Sequence, residues 1–340
     1  MAVALRTAVI GAGLIGARRA EQAAASDASA LAVVVDSMEA RARDLAGRFG
    51  GESETDWRAA VERADVDVVV VSTPNAFLSE IAIAALQNGK HVLIEKPMGR
   101  DLADAEMLAD VARTSSGLLK IGFNHRYHPA LSSAHARLRA GEIGAPIAIR
   151  TRYGHGGRPG YEKEWRGDPA LAGGGELTDQ GVHVLDLIHW FAGVPEEAFA
   201  YLSTAVWPIA PLEDNAFGLL RFPGGCIATL HTSWTQWKNL FSFEVFGRDG
   251  SLAVEGLGGS YGVERLQVAR RNPAGGVPDV QTEEFHGPDA SWRIEWDDFT
   301  AAIVDGTPYW GTPDDGLRVM RALHALYASA RDRVPYPIET

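Results

Sequence analysis

A single cysteine, Cys226, in 340 residues rules out an intrachain disulfide and with it any disulfide-stapled scaffold. No run of about 18 apolar residues occurs, which excludes a membrane-spanning helix. Positive charge is scarce. The 32 Lys and Arg stand against 44 Asp and Glu, and the net charge of −12 removes bulk attraction to a polyanion such as nucleic acid, though not a local basic pocket. Internal repeats and low-complexity tracts are absent. The opening residues lack a signal-peptide layout, because their short apolar run continues into a glycine turn, so a cytoplasmic location is expected. What remains is an ordinary globular composition, 46% apolar and 22% charged, over a length natural for two domains. Neither nucleic acid nor membrane is expected as a partner, and no metal site is assigned.

The first 124 residues alternate strands and helices. A short apolar run, 7–10, ends in GAGLIG at 11–16, a G-x-G-x-x-G. A helical stretch follows at 18–26, then a second apolar strand at 31–35 closed by Asp36. This is the setting in which the pattern binds a dinucleotide. Gly11 allows the tight turn, Gly13 lets the backbone approach a pyrophosphate at the helix N-terminus, and Gly16 lets helix and strand pack closely. Asp36, 20 positions after Gly16, suits the ribose hydroxyls of NAD and repels the 2′-phosphate of NADP, so NAD is the expected cofactor and NADP the disfavoured one. Helices at 38–49, 76–88 and 102–116 separate strands at 66–71, 91–94 and 118–122, and Asn75 is expected to cap the helix at 76–88. The pattern predicts a Rossmann, doubly wound parallel sheet, with ligands off the carboxyl ends of its strands. Thr73, Asn75, Glu95, Lys96 and Asn124 fall at such ends. Lys96 is either a surface lysine or a fixed positive charge for a substrate oxygen.

Residues 125–340 read as an α+β domain with a large, mostly antiparallel, open-faced sheet. A helix is expected at 129–140 and strands at 147–153, 198–206, 215–222, 226–234, 241–246, 252–255 and 263–269, with closing helices at 292–304 and 314–330, the last able to pack on the first domain. A glycine-rich polar loop, 154–165, carries His155, Arg158, Tyr161 and Trp165. The segment 173–190, GGGELTDQGVHVLDLIHW, reads as a helix apolar on nearly all sides, hence buried. Asp179, His183 and Asp186 lie at i, i+4 and i+7 and should share one face. They are either a core histidine held by two structural aspartates or groups used in chemistry.

GAGLIG, the STPN at 72–75, the EKP at 95–97 and GGGELTDQGVH at 173–183 together resemble the Gfo/Idh/MocA family of NAD(P)-dependent sugar and polyol dehydrogenases, in order and spacing over most of the chain. The resemblance implies that Lys96, Asp179 and His183 act on substrate. It implies cofactor contacts at Gly11, Gly13, Leu14, Ile15, Asp36, Ser72, Thr73, Pro74, Asn75, Glu95, Lys96, Asn124, Trp165 and Arg166. Many members carry a histidine three residues after T-P-N, where this chain has Leu78.

Oxidising a secondary alcohol requires a base for its proton and a positive group for the developing oxyanion. His183, whose ordinary pKa of about 6.5 lies near working pH, suits the first and Lys96 the second. Asp179 can orient the imidazole, the lysine or a substrate hydroxyl, and Asp186 is assigned a structural role. For substrate, Arg152, Tyr153, His155, Arg158 and Trp237 join Lys96, Asp179 and His183 as candidates, while Trp234 either stacks on a sugar ring or lies in a buried aromatic face. The leading expectation is an NAD-dependent sugar, amino-sugar, nucleotide-sugar or inositol dehydrogenase, a homodimer or homotetramer through the open sheet face. The alternatives are a glycosidase using bound NAD for transient oxidation, and a non-catalytic dinucleotide sensor.

Overall fold

A computed structural model of the protein describes residues 4–339. The chain divides into two compact units, one of residues 4–124 with 292–317 and one of 125–291 with 318–339.

In the first unit, strands β1 (Leu5–Ile10), β2 (Ser29–Val35), β3 (Glu52–Glu54), β4 (Val68–Val71), β5 (His91–Glu95) and β6 (Leu119–Gly122) pair in parallel in the order β3-β2-β1-β4-β5-β6. Helices α1 (Leu14–Ala25), α2 (Glu39–Phe49), α3 (Trp57–Glu62), α4 (Asn75–Gln87) and α5 (Leu102–Thr114) connect them. Four consecutive valines make β4, all buried, because helices cover both faces of a parallel sheet. The core joins Val9, Val34, Val68, Val70 and Leu93 to Leu45 and to Trp296 and Phe299 of a returning helix. The strand order reverses between β1 and β4, and ligand crevices of such sheets open at that point. The expected alternation is present. Strand β3 and helix α3 were not foreseen: β3 is three mostly exposed residues, ESE, without the apolar run of a buried strand. Asn75 does not cap α4; the helix begins at Asn75 itself, after Pro74, and makes no side-chain cap bond.

The second unit opens with α6 (Pro129–Arg139) and β7 (Pro146–Gly154). Two 3-10 turns (Tyr161–Lys163 and Trp165–Gly167), α7 (Pro169–Ala172), a π-turn (Leu177–Gly181) and α8 (Val182–Ala192) follow. Then come β8 (Glu197–Ser203), β9 (Asn215–Arg221), β10 (Ile227–Ser233), β11 (Leu240–Gly247), β12 (Gly250–Glu255), β13 (Glu264–Arg270) and β14 (Asp279–Phe285). Helix α9 (Ser291–Asp305) and the start of α10 (Pro313–Asp332) belong to the first unit, and the rest of α10 with the short β15 (Tyr336–Pro337) to the second. Nine strands form one sheet in the order β14-β13-β12-β11-β7-β10-β9-β8-β15. All pairs are antiparallel except β7 with β10. Strand β14 was not foreseen, because its residues, DVQTEEF, are exposed or half-exposed and carry no apolar alternation.

The two faces of this sheet differ as period 2 requires. One carries Ile149, Thr151 and Tyr153 of β7, Ala228 and Leu230 of β10 and Phe241, Phe243 and Val245 of β11, all buried. The other carries Tyr201, Phe217, His231 and Arg152 side by side across four strands, with Phe217 stacked on His231 at 4.1 Å. The open aromatic row therefore comes chiefly from β8 and β9, whereas Phe241 and Phe243 of β11 point inward.

Both units bury charge in pairs. In the first, Arg19 of α1, 1% exposed, is held between Glu95 (2.6 Å) and Glu295 (2.6 Å). In the second, Arg126 grips Asp186 of α8 with two bonds, 2.8 and 2.6 Å, both side chains being buried. Removing one member of such a cluster leaves the others desolvated with less compensation. Glu295→Ala should lower unfolding free energy by about 3 kcal/mol or more. The check is the urea midpoint of the variant; a midpoint equal to that of the parent would show that the cluster carries no stability.

Candidate active site

The first unit offers an open helix N-terminus at the carboxyl end of β1. Gly11 has φ of 99° and packs its backbone on the carbonyl of Ser72, and a Cβ on Gly16 would sit 1.7 Å from the Gly11 carbonyl oxygen, so neither position admits a side chain. Gly13 precedes α1 with no side-chain cap, nothing lies within 4 Å of where its Cβ would be, and Leu14 is 75% exposed, with Ile15 half-buried behind it. Such a terminus fits a pyrophosphate, since a side chain neither fills it nor caps it. The Ser72 hydroxyl donates to the Gly11 carbonyl (2.9 Å), bracing the turn from β4. Thr73 and Pro74 are half-buried beside it, and Asn75 and Asn124 are buried. The carboxylate of Asp36, at the end of β2, accepts the amides of Ala12 (2.9 Å) and Met38 (2.9 Å), which fixes its position next to the glycine turn.

Glu95 and Lys96, expected to serve together, have different surroundings. The Glu95 carboxylate is turned inward onto Arg19, whereas Lys96 is half-buried just past the end of β5. Leu78 is fully buried in α4, where it packs as core.

In the second unit the helix expected over 173–190 is not continuous. Residues Leu177–Gly181 wind as a π-turn before α8 begins at Val182. His183 and Asp186, three apart on α8, keep their common side, whereas Asp179 lies in the π-turn, which advances the chain differently from 3.6 residues per turn. Each acid meets its own cation: Asp179 accepts from Arg166 (3.0 Å) and Asp186 from Arg126. The turn is clamped from β9's approach. Glu213 accepts the amides of Gly175 (3.2 Å) and Leu177 (2.9 Å) on its carboxylate and that of Glu176 (3.0 Å) on its carbonyl, and Tyr327 donates to the same carboxylate at 2.8 Å. A Cβ on Gly175 would lie 2.0 Å from that carbonyl oxygen, which accounts for a glycine there.

His183, buried, lies flat against His125, with centroids 3.8 Å apart and planes 14° apart. His125 shares a hydrogen bond with the Tyr153 hydroxyl (3.1 Å), and Gln180 donates to the hydroxyl of Tyr261 (3.0 Å), whose ring lies 5.3 Å from that of Tyr153. Burial pushes the Tyr153 phenol well above its ordinary range and that of Tyr261 up to about 12, so both keep their protons at working pH. Burial lowers the pKa of His155 against the pull of Asp179, favouring the neutral ring, which accepts the Gly157 amide at 2.9 Å.

The loop candidates separate. Arg166 is bonded to Asp179, which raises its pKa, and lies over the Trp165 ring at 4.4 Å, so these two residues support the acid from within the unit. Arg158 is exposed and forms a two-bond pair with Glu164 in its own loop. Trp237 is 67% exposed, while Trp234 is fully buried against Tyr161 and Trp207 and presents no surface for a ring to stack on. Arg152 lies on the opposite sheet face from Tyr153, because neighbours in a strand point oppositely. The sequence reading missed His125, Tyr261 and Gln180. The signal for His125 was available: NHRYHP follows a buried strand, at an end where ligand-facing residues gather. Among the described residues, no group of three or more His, Cys, Asp or Glu is arranged to hold a metal ion.

Comparison with known proteins agrees with both halves. Residues 5–123 match the model of the oxidoreductase family with an NAD-binding Rossmann fold, and residues 131–253 that of the GFO/IDH/MocA C-terminal domain. Levoglucosan dehydrogenase of Pseudarthrobacter phenanthrenivorans is 28% identical, over 88% of this chain and 87% of that protein. D-glucoside 3-dehydrogenase of Escherichia coli is 31% identical, over 68% of this chain and 70% of that protein. A solved structure of levoglucosan dehydrogenase in complex with NADH has a TM-score of 0.90 at 25% identity, covering 99% of this chain and 100% of that one. The chain belongs to the Gfo/Idh/MocA family of oxidoreductases, with NAD as its cofactor.

Proposed function

We propose that the protein oxidises a secondary alcohol of a sugar or cyclic polyol, the class that includes amino sugars, nucleotide-sugars and inositols, or reduces the matching ketone. The observation that carries the reading is a buried imidazole, His183, stacked on His125, whose ring bonds the Tyr153 hydroxyl, with Tyr261 and its partner Gln180 next to Tyr153, polar groups that suit a polyhydroxylated ring. The names of the relatives, which act on levoglucosan and D-glucosides, support the substrate class. When bound, NAD supplies the hydride acceptor or donor. In this reading His183 takes the hydroxyl proton and Lys96 holds the oxygen as negative charge develops on it. Asp179, braced by Arg166, orients a substrate hydroxyl, and the neighbouring protonated phenols of Tyr153 and Tyr261 serve as further hydrogen-bonding groups. Lys96, Asp179 and His183 occurring together favour this over a dinucleotide sensor, which has no use for proton-handling groups. A cytoplasmic location and a homodimer or homotetramer through the open sheet face complete the reading. The face supports assembly because Tyr201 (65% exposed), Phe217 (48%) and Leu219 (46%) form an apolar row that water alone covers poorly.

The reading makes three measurable claims. NAD should bind at least about tenfold more tightly than NADP, an advantage that Asp36→Ala should erase, because its carboxylate faces the 2′-phosphate position. Dissociation constants for both cofactors decide it, and equal values in the parent would refute it.

Lys96→Ala and His183→Ala should each lower kcat by about 10²–10⁴-fold while leaving NAD affinity within a few-fold, with a double variant less than additive. NADH absorbance with a panel of sugars and inositols is the assay; near-full turnover in both single variants would overturn the mechanism.

Light scattering should return a multiple of the 36.5 kDa chain mass, and Phe217→Asp should shift it toward the monomer. A monomer at micromolar concentration in the parent would count against assembly through this face.

A further inference from the structure

We propose that His125 is the positioning residue for the His183 imidazole. The inference rests on the reading of His183 as the group that moves the substrate proton. Rotation about a histidine's second side-chain torsion is broad and has no sharp staggered wells, so its own rotamers do not set the plane of the His183 ring. Neighbours must set it, and the His125 ring lies flat against it, parallel within 14° at a centroid distance of 3.8 Å. Two flat rings packed face to face at this distance leave neither one room to tilt.

His125 is itself held on several sides. Its ring nitrogen Nε2 bonds to the Tyr153 hydroxyl at 3.1 Å. The rings of His128 (5.6 Å), Tyr153 (5.4 Å) and Phe241 (6.2 Å) meet it at steep angles. Burial keeps the Tyr153 phenol protonated, so this bond persists through the working range.

The backbone closes the arrangement. The residue after His125 is Arg126, whose guanidinium makes two bonds to Asp186, three positions after His183 on α8. The 3-10 turn Asn124–Tyr127 is thus tied to α8 at two adjacent points, the ion pair and the ring stack. The ion pair sets the distance between turn and helix, and the stack sets the angle of the ring. Asp186, which carries no part of the chemistry, acquires a role in this way: it anchors the turn that carries the positioning ring.

Proton transfer in the reacting complex depends on placement, and a misplacement of about 1 Å is enough to cost on the order of 10²-fold in rate. His125→Ala, His125→Leu and His125→Phe separate the flat ring from mere filling of space. All are measured in the full-length chain on levoglucosan, D-xylose, myo-inositol and scyllo-inositol with NAD, alongside His183→Ala. The Ala and Leu variants should lower kcat by about 10–10²-fold with KM changed less than about threefold, and Phe should recover kcat to within about threefold of the parent. Melting temperature and NAD affinity identify any variant that fails to fold, and Leu against Phe carries the test if Ala does. A kcat within about twofold of the parent for Ala or Leu overturns the proposal, as does a loss that folded, NAD-binding Phe shares equally with Leu. His183→Ala with near-full turnover defeats the underlying reading instead, whatever the His125 variants do.

Discussion

Charge taken out of water has to be met where it lies, and this requirement shapes both units of the protein. An isolated buried carboxylate or guanidinium costs several kcal/mol, so each one recruits a partner from a distant stretch of chain. Arg19 of the cofactor-side helix draws in Glu95, 76 positions away, and Glu295, 276 positions away. Asp186 draws in Arg126, and Glu213 draws in the amides of the glycine run together with Tyr327. Through these pairings the strand ending in Glu95, the turn after β6 and the start of α8 come to rest in defined places. The residues proposed for chemistry stand next to these charge pairs in the chain: Lys96 follows Glu95, His125 precedes Arg126, and His183 shares α8 with Asp186.

This division of labour explains the character of the functional stretch. A uniform helix through Asp179, His183 and Asp186 would give three polar groups one direction. The π-turn, held by Glu213, sends Asp179 toward Arg166 while α8 carries Asp186 to Arg126 and His183 to His125. Interruptions of this kind recur at functional sites because they re-aim side chains without ending the helix. Each acid then has a cation of its own, and the imidazole between them in sequence lies flat against His125, whose ring bonds the Tyr153 hydroxyl.

The nine-stranded sheet adds a second constraint through its period of two. Thr151 and Tyr153 face inward with the functional helix, and Arg150 and Arg152 face the open side. One strand therefore serves the buried face with alternate residues and the open aromatic face with the others. A slip of one residue in its register would exchange the two sets, and the parallel pairing of β7 with β10 together with the antiparallel pairing with β11 holds that register from both sides.

Local pattern was enough for the architecture. The glycine turn after an apolar strand, the strand–helix rhythm to residue 124 and the later run of alternating strands determined a Rossmann unit followed by a mostly antiparallel sheet, because burial on two faces or one writes itself directly into hydrophobic period. The positions of Asp36 and Lys96 at strand ends were legible for the same reason: strand ends show in the sequence, and ligands gather there. Elements without that pattern, β3 and β14, could not be read, since exposed edge strands need no apolar alternation. The tertiary structure alone decided which charge met which. That Glu95 would be occupied by Arg19, Asp179 by Arg166 and Asp186 by Arg126, and that His125 would lie on His183, follows from contacts between segments 13 to 76 residues apart, whose meeting depends on the packing of whole elements rather than on any local preference.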